Sequence, residues 1–406
     1  MRLSKSFIKT LRAAPSEETT KNGALLTRAG YIFKEMAGVY DFLPLGLRVI
    51  ENIKNIVREE LNNIGCQEVL MSTLQNPEIW EKTGRFSDQV VDIWFKTKLS
   101  AGGELGLAPT HEEPIVNLMK SYISSYKDLP LYVYQFQTKF RNELRAKSGI
   151  LRGREFLMKD LYSFHTSEED LDDFYAKVEG AYDKIFKRLG ISDSTFETFA
   201  SGGIFSKYSH EYQTFLPVGE DTVYYTEDKS LVLNEEVLIP EVLEEFGVKR
   251  EDLSETRAAE VANIFKLKFK YTEPLELKYT DDKNKQEFVY MGCYGIGISR
   301  LMGVIAEKFA DDKGLVWPET VAPYKYYLIG IGENGVNEAE KFYKENSDIV
   351  LFDDRDIRPG EKFSDAELMG IPYRVVISDK TLAEGSVEVV DRKTGEAKMV
   401  KLSDLK

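Results

Sequence analysis

Hydrophobic residues recur at Ile50, Ile53, Val57, Leu61 and Ile64, a spacing that gathers them on one face of a helix, with Gly65 placed to end it. A short strand from Glu68 to Met71 is expected to follow. Between 131 and 141 the period falls to two. Tyr132, Tyr134, Phe136 and Phe140 share one parity, and Gln135, Gln137, Lys139, Arg141 and Glu143 share the other. This predicts a strand with one polar face. Residues 152–164 continue the strand pattern after a polar connection from Leu144 to Leu151, so the two segments predict an antiparallel hairpin. An amphipathic helix is predicted over 168–189, and a Ser/Gly-containing loop near 200–211. The charged stretch from Glu235 to Val261 is read as helical, with Pro240 near a helix start. Beyond Trp317-Pro318 and Ala322-Pro323, the apolar runs Tyr326 to Ile331, Ile349 to Phe352 and Tyr373 to Ile377 suggest a small α/β domain from about 325 to the end.

Composition narrows the class. With 406 residues, 42% hydrophobic and 30% charged, the chain suits two or three globular domains. It has no apolar run of about 18 residues, so no membrane span is expected. Cys66 and Cys293 are its only cysteines and lack metal spacing, which points away from a disulfide framework or a zinc site and toward a cytoplasmic protein. The first fourteen residues carry Arg2, Lys5, Lys9 and Arg12 without an acid; this could pass for a transit peptide, but is read as part of the mature domain. A net charge of −14 argues against coating nucleic acid by bulk charge. Residues 137–159 depart from that balance, with seven Lys and Arg against two Glu. Such an island implies a localised anionic ligand, or else a solvated hairpin tip.

Candidate chemistry concentrates in Phe140-Arg141-Asn142-Glu143 and Arg152-Gly153-Arg154-Glu155-Phe156. If the strands pair, Arg141 and Glu143 on one and Arg152 and Phe156 on the other converge. Arginine's planar fork suits a phosphate, an aromatic ring can stack on a base, and a carboxylate can accept from an adenine amino group. Taken singly, each also fits a solvated hairpin with a core phenylalanine. A second group is Gly292-Cys293-Tyr294-Gly295-Ile296-Gly297 leading to Arg300 and an apolar helix. Such glycines let backbone approach a ligand, although tight packing is the commoner cause. In Pro109-Thr110-His111-Glu112-Glu113 a His-Glu pair raises a metal hypothesis. The chain has only His111, His165 and His210, with no HExxH spacing, so a metal site is not expected.

Together the first two groups match motifs 2 and 3 of class II aminoacyl-tRNA synthetases, and the strings TKFRNE (138–143) and REFLMKDLYSFH (154–165) resemble those of bacterial-type prolyl-tRNA synthetases. The resemblance implies an α+β fold: a six-stranded antiparallel catalytic sheet with helices over 1–322 and an α/β anticodon-binding domain over 323–406. Motif 1 would lie at about 38–73, motif 2 at 138–165 and motif 3 at 290–309. It also implies ATP and Mg²⁺ as a substrate complex, with proline and its tRNA as partners of a homodimer. Arg141 and Arg300 would be catalytic, Arg141 neutralising the carboxylate or α-phosphate and Arg300 holding the γ-phosphate. Glu143, Arg152 and Phe156 would join them around ATP. Thr110 and Glu112 would bind proline's ammonium. Cys293 and Gly295 would form the pocket wall. Met158, Asp160, Tyr162 and Phe164 share the parity of Phe156, so they can extend the ligand floor; core packing fits Met158 and Phe164 equally, whereas a buried Asp160 needs partners. In the C-terminal domain, Asp354, Arg355 and Lys362 would read anticodon bases.

Several positions depart from the resembling pattern. Ser72 stands where motif 1 has proline. Ala259, Ala262, Asn263, Lys266 and Lys268 replace more usual residues, and Phe205 and Ser206 occupy the place of a Gly-Gly pair in a substrate loop. The interval Glu211–Met291 is too short for the insertion that hydrolyses mischarged alanyl-tRNA, so a separate deacylase, or tolerance of the error, is expected. Two other readings fit the same sequence: another synthetase of the subclass, or a non-catalytic tRNA-binding paralogue.

Overall fold

The structure, a computed structural model, describes residues 1–16, 18–144, 148–203 and 208–405. Two compact units emerge: one of residues 37–39 and 54–304, the other of 1–36, 40–53 and 305–406.

The first unit is built on a nine-stranded sheet. Its strands are β1 (Gln67–Glu68), β2 (Leu131–Phe140), β3 (Glu155–His165), β4 (Thr195–Ser201), β5 (Tyr208–Phe215), β6 (Asp221–Tyr225), β7 (Val232–Asn234), β8 (Ser254–Lys268) and β9 (Tyr290–Gly297). The order is β5-β4-β7-β6-β8-β9-β3-β2-β1, and β5 also pairs with β8. Strands β8, β5, β4, β7 and β6 therefore close a ring, while β9, β3, β2 and β1 extend from it. This differs from the expected six strands. The cause is β8, fifteen residues long, which pairs with β6 and then β9 on one edge and with β5 on the other.

β8 also overturns the helical reading of 235–261. A helix does begin at Pro240, but it ends at Glu245. Bulges leave Val261 unpaired against β5 and Leu267 unpaired against β9. Each extra residue shifts the alternation, and buried positions fall at 258, 259, 261, 262, 264, 265 and 267, a spacing that imitates a helix.

The predicted hairpin is present. β2 and β3 pair antiparallel from Leu131–Phe164 to Phe140–Glu155, with Gln135 directly opposite Asp160. Arg141 and Glu143 lie beyond the strand end, because the Asn142 amide donates to the Ile93 carbonyl at 2.8 Å instead of continuing the ladder. The strand expected over 68–71 is only Gln67–Glu68. Its continuation bonds side chains: the Met71 amide donates to Gln135 Oε1 at 3.0 Å, and the Ser72 carbonyl accepts from His111 Nε2 at 3.0 Å.

A helix over Glu168–Leu189, capped by Ser167 and ended by Gly190 at φ 77°, buries Phe174, Val178, Tyr182 and Ile185 against one face of this sheet. There Lys159 Nζ donates to the Tyr182 hydroxyl at 2.7 Å and the Tyr294 carbonyl at 2.9 Å. Burial pushes the Lys159 pKa down to about 7. The motif 3 strand is thus supported from behind by a buried polar triad.

The second unit carries a five-stranded sheet in which Val350–Asp353, Tyr326–Ile331 and Tyr373–Ser378 run parallel, followed by antiparallel Val387–Asp391 and Ala397–Val400. Helices Glu333–Glu345 and Pro359–Met369 connect the parallel strands. The first residues of the chain belong to this unit. Arg2 bridges to Phe352, and the Met1 amine donates to the Val350 carbonyl at 2.9 Å.

Candidate active site

Two adjoining cavities open on the first unit, on the sheet surface formed by β2, β3, β8 and β9. The larger encloses about 520 Å³ of empty space and is lined by Arg141, Glu143, Arg152, Phe156, Glu260 and Arg300, among others. The smaller encloses about 310 Å³ and is lined by Thr110, Glu112, Arg141, Met158, Asp160, Tyr162, Asn263, Phe265, Cys293 and Gly295. Arg141, Met158 and Asn263 belong to both. The residues read from the sequence as an ATP group fall together in the larger cavity, and the eight read as an amino-acid group fall together in the smaller.

In the larger cavity three arginines converge on a space bordered by acids. Arg141 is anchored by its Nε donating to the Pro109 carbonyl at 3.3 Å, and its guanidinium lies 5.2 Å from the centre of the Phe156 ring. Arg152 bridges Glu143 at 2.9 Å and Glu220 at 3.0 Å. Arg300 donates through Nε to the Leu151 carbonyl at 2.7 Å and reaches Glu260 at 3.4 Å. Carboxylates thus hold Arg152 and Arg300, and a backbone carbonyl holds Arg141, around a space suited to a polyanion with a planar base. Glu220 and Glu260 were not singled out in the sequence. Glu260 lies on β8, whose bulged pattern hid its strand parity, and Glu220 comes from a distant turn.

The smaller cavity has a different chemistry. Thr110 Oγ1 donates to Glu112 at 2.7 Å, and the Cys293 thiol lies 3.5 Å from the same carboxylate. Burial, followed by the charges of Glu112 and Asp160, pushes the Cys293 thiol up, so it is a protonated wall and not a nucleophile. Arg85, itself buried, binds Glu113 at 2.9 Å and lies 3.6 Å from Glu112, fixing the start of the helix Glu112–Met119. Phe265, Tyr162 and Cys293 are also part of the hydrophobic core behind the cavity, which includes Phe164, Ile115 and Met291. The pocket thus presents the Glu112 carboxylate at one side and Arg141 at another, with an otherwise largely apolar lining that also holds the Asp160 carboxylate.

Gly295 shows how closely this wall is fitted. A Cβ there would lie 2.5 Å from Met158 Cε and 2.7 Å from Asn263 Oδ1. The glycine is required by close approach and not by an unusual φ. His111, the candidate metal ligand that the sequence argued against, has both ring nitrogens engaged, by Lys139 and by the Ser72 carbonyl. Residues 204–207, which include Phe205 and Ser206, lie outside the described residues.

Comparison with known proteins fits this geometry. Residues 95–309 match the class II core domain of tRNA synthetases for G, H, P, S and T, and residues 325–406 match an anticodon-binding domain. A proline–tRNA ligase from Wolbachia sp. subsp. Drosophila simulans is 38% identical over 416 residues, covering 100% of this chain and 98% of the relative. The chain belongs to the proline–tRNA ligase family. Other members at similar distance are those of Anaplasma phagocytophilum, 37% identical over 423 residues with 100% and 99% coverage, and Rickettsia africae, 36% identical over 425 residues with the same coverage. A solved prolyl-tRNA synthetase from Cryptosporidium parvum, complexed with halofuginone and AMPPNP, aligns with a TM-score of 0.77 at 19% identity. It covers 94% of this chain and 74% of that one, a likeness of fold.

Within this proline–tRNA ligase family member, the three anticodon candidates have internal partners. Asp354 accepts from the Ser4 amide at 2.8 Å and from Arg2 at 3.3 Å. Arg355 bonds Asp353 and Asp365, each at 2.7 Å, and the buried Lys362 donates to the Asp353 carbonyl at 3.0 Å. Among the 259–268 departures, Ala259 and Ala262 are buried, Lys266 and Lys268 pair with Asp172 and Glu168, and only Asn263 lines both cavities.

Proposed function

We propose that this chain activates proline with ATP, releasing pyrophosphate, and transfers the prolyl group to the 3′ end of proline tRNA. The observation that carries this reading is the junction of the two cavities at Arg141. There an amino-acid carboxylate held in the smaller one and an α-phosphate held in the larger one meet at a single guanidinium. The Glu112 carboxylate and the Thr110 hydroxyl accept the substrate's secondary ammonium, and the space between Met158, Tyr162 and Phe265 takes its ring. MgATP enters as substrate, its phosphates shared by Arg141, Arg152 and Arg300 and its base stacked on Phe156 beside Glu143. Catalysis needs no protein nucleophile. Fixing the carboxylate in line with the α-phosphate supplies proximity, and the guanidiniums stabilise charge that develops as pyrophosphate leaves.

In sequence we assign the catalytic domain to 1–322 and the anticodon-binding domain to 323–406, although residues 1–36, 40–53 and 305–322 group with 323–406 in one compact unit; Asp354, Arg355 and Lys362 contribute to reading the anticodon. The protein works as a cytoplasmic homodimer and lacks editing in cis, the interval from Glu211 to Met291 being too short for an editing insertion, so that alanyl-tRNA is left to a separate deacylase or the error is tolerated. Aminoacylation of proline tRNA by the purified chain, with and without alanine in place of proline, tests the proposal. Prolyl-tRNA should accumulate, and preformed alanyl-tRNA should survive incubation with the enzyme. Failure to charge the tRNA with proline refutes the activity, and rapid loss of alanyl-tRNA refutes the absence of editing.

A further inference from the structure

Beneath the smaller cavity lies a buried relay. Lys139 on β2 is completely buried and does not line the cavity. Its ammonium donates to Oδ2 of Asp160 and to Nδ1 of His111. His111 therefore carries its proton on Nε2, which donates to the Ser72 carbonyl at 3.0 Å. Gln135 Nε2 donates to the same Oδ2 of Asp160 at 3.0 Å, and its Oε1 accepts from the Met71 amide. Lys139 and Gln135 both bond Oδ2 of Asp160, a residue that lines the cavity.

Two carboxylates thus line a pocket whose amino-acid substrate brings one ammonium. Glu112 is met by a hydroxyl, a thiol and a more distant Arg85. Asp160 is in direct contact with a cation. We propose that Lys139 is a positioning residue that sets the charge of the amino-acid pocket: by neutralising Asp160 from below, it leaves Glu112 as the carboxylate that selects the single ammonium and makes Asp160 a balanced polar floor for the ring. This rests on the reading of the smaller cavity as the proline site.

The charged groups facing Lys139 are Asp160, Glu112 and Arg141, and those facing His111 are Lys139 and Asp160. Although burial favours the neutral acid, Lys139 and then His111 hold Asp160 below its ordinary value. Burial, followed by the charge of Lys139, pushes His111 down to about 4. Removing Lys139 removes that repulsion and leaves His111 as the nearest group able to place a positive charge against Asp160. A merely structural lysine has no such substitute.

The test is proline-dependent ATP–pyrophosphate exchange by the full chain carrying Lys139→Met, compared with wild type at pH 8 and pH 6. At pH 8 the KM for proline should rise at least about 10-fold while the KM for ATP stays within about 2-fold, the signature of a lost ground-state interaction with one substrate. At pH 6 the gap in proline KM should narrow several-fold as His111 takes a proton, and Lys139→Met combined with His111→Asn should abolish the narrowing. An unchanged proline KM, a loss equal at both pH values, or equal losses for proline and ATP overturns the proposal. Lys139→Gln, which keeps a hydrogen-bond donor without the charge, should show the same pH signature and serves if the methionine variant does not fold. Wild-type protein that ignores proline overturns instead the reading of the pocket on which this rests.

Discussion

Gly295→Ala offers a measured intrusion into the amino-acid pocket. The new methyl would sit 2.5 Å from Met158 Cε and 2.7 Å from Asn263 Oδ1, so each neighbour must retreat by about 1 Å to reach ordinary contact. Met158 is flexible and moves most readily, but its end group borders the cavity of about 310 Å³, and displacement there takes space from the substrate. One methyl's worth of misfit in an apolar pocket is worth about 1–3 kcal/mol, or roughly 10–200-fold in binding. Overpacking should cost the fold about the same amount or less. Met158 and Asn263 border both cavities, but Gly295 itself lines only the smaller, so the new methyl intrudes chiefly on that one. The KM for proline in pyrophosphate exchange at saturating ATP should therefore rise by at least 10-fold, while the KM for ATP at saturating proline changes less than about 3-fold. A proline KM within 2-fold of wild type, or a parallel rise for ATP, would refute the assignment of the two cavities.

Other expectations address stability. Burial, and then the Glu260 carboxylate, hold the Glu211 pKa up to about 8 against an ordinary 4.5. Between those values the folded state binds a proton that the unfolded chain has released, so stability falls as pH rises, by at most about 1.4 kcal/mol per unit. Glu211→Gln removes that slope, and its melting temperature should change less than wild type's between pH 5.5 and 7.5; identical changes contradict the linkage. Lys268 sits at φ 51° beside a bulge, in the left-handed region that favours glycine. Lys268→Gly should stabilise by about 0.5–1 kcal/mol in urea unfolding, since the half-exposed pair with Glu168 contributes little; a clear loss refutes it. Lys362→Ala leaves the Asp353 carbonyl without its buried donor and should cost about 1–3 kcal/mol, read as lower resistance to urea.

The hairpin and its ligand face were legible because β2 and β3 keep strict alternation. Parity alone placed Met158, Asp160 and Tyr162 on one surface with Phe156. β8 was not legible for the opposite reason: bulges at Val261 and Leu267 break the period of two, and its Ala, Glu and Lys content favours helix. Glu260 and Asn263 were lost with it as site residues, although Asn263 stood out as a departure from the resembling pattern. The partners of Asp160 follow from register, since Gln135 lies directly across the ladder and Lys139 reaches it from four residues along the same face. His111 completes that group from another element, and nothing local to Thr110-His111-Glu112 announces it. The pairing of Arg152 with Glu143 and Glu220 likewise depends on tertiary approach. The division into units also needed coordinates, because residues 1–36 associate with 305–406 through contacts such as Arg2 to Asp354.

The most direct test is ATP–pyrophosphate exchange by the purified chain with each of the twenty amino acids supplied separately. Exchange should depend on proline, with a weaker signal from alanine, which has a small apolar side chain and an ammonium that Glu112 can hold. Exchange driven chiefly by another amino acid, or by none, would contradict the account.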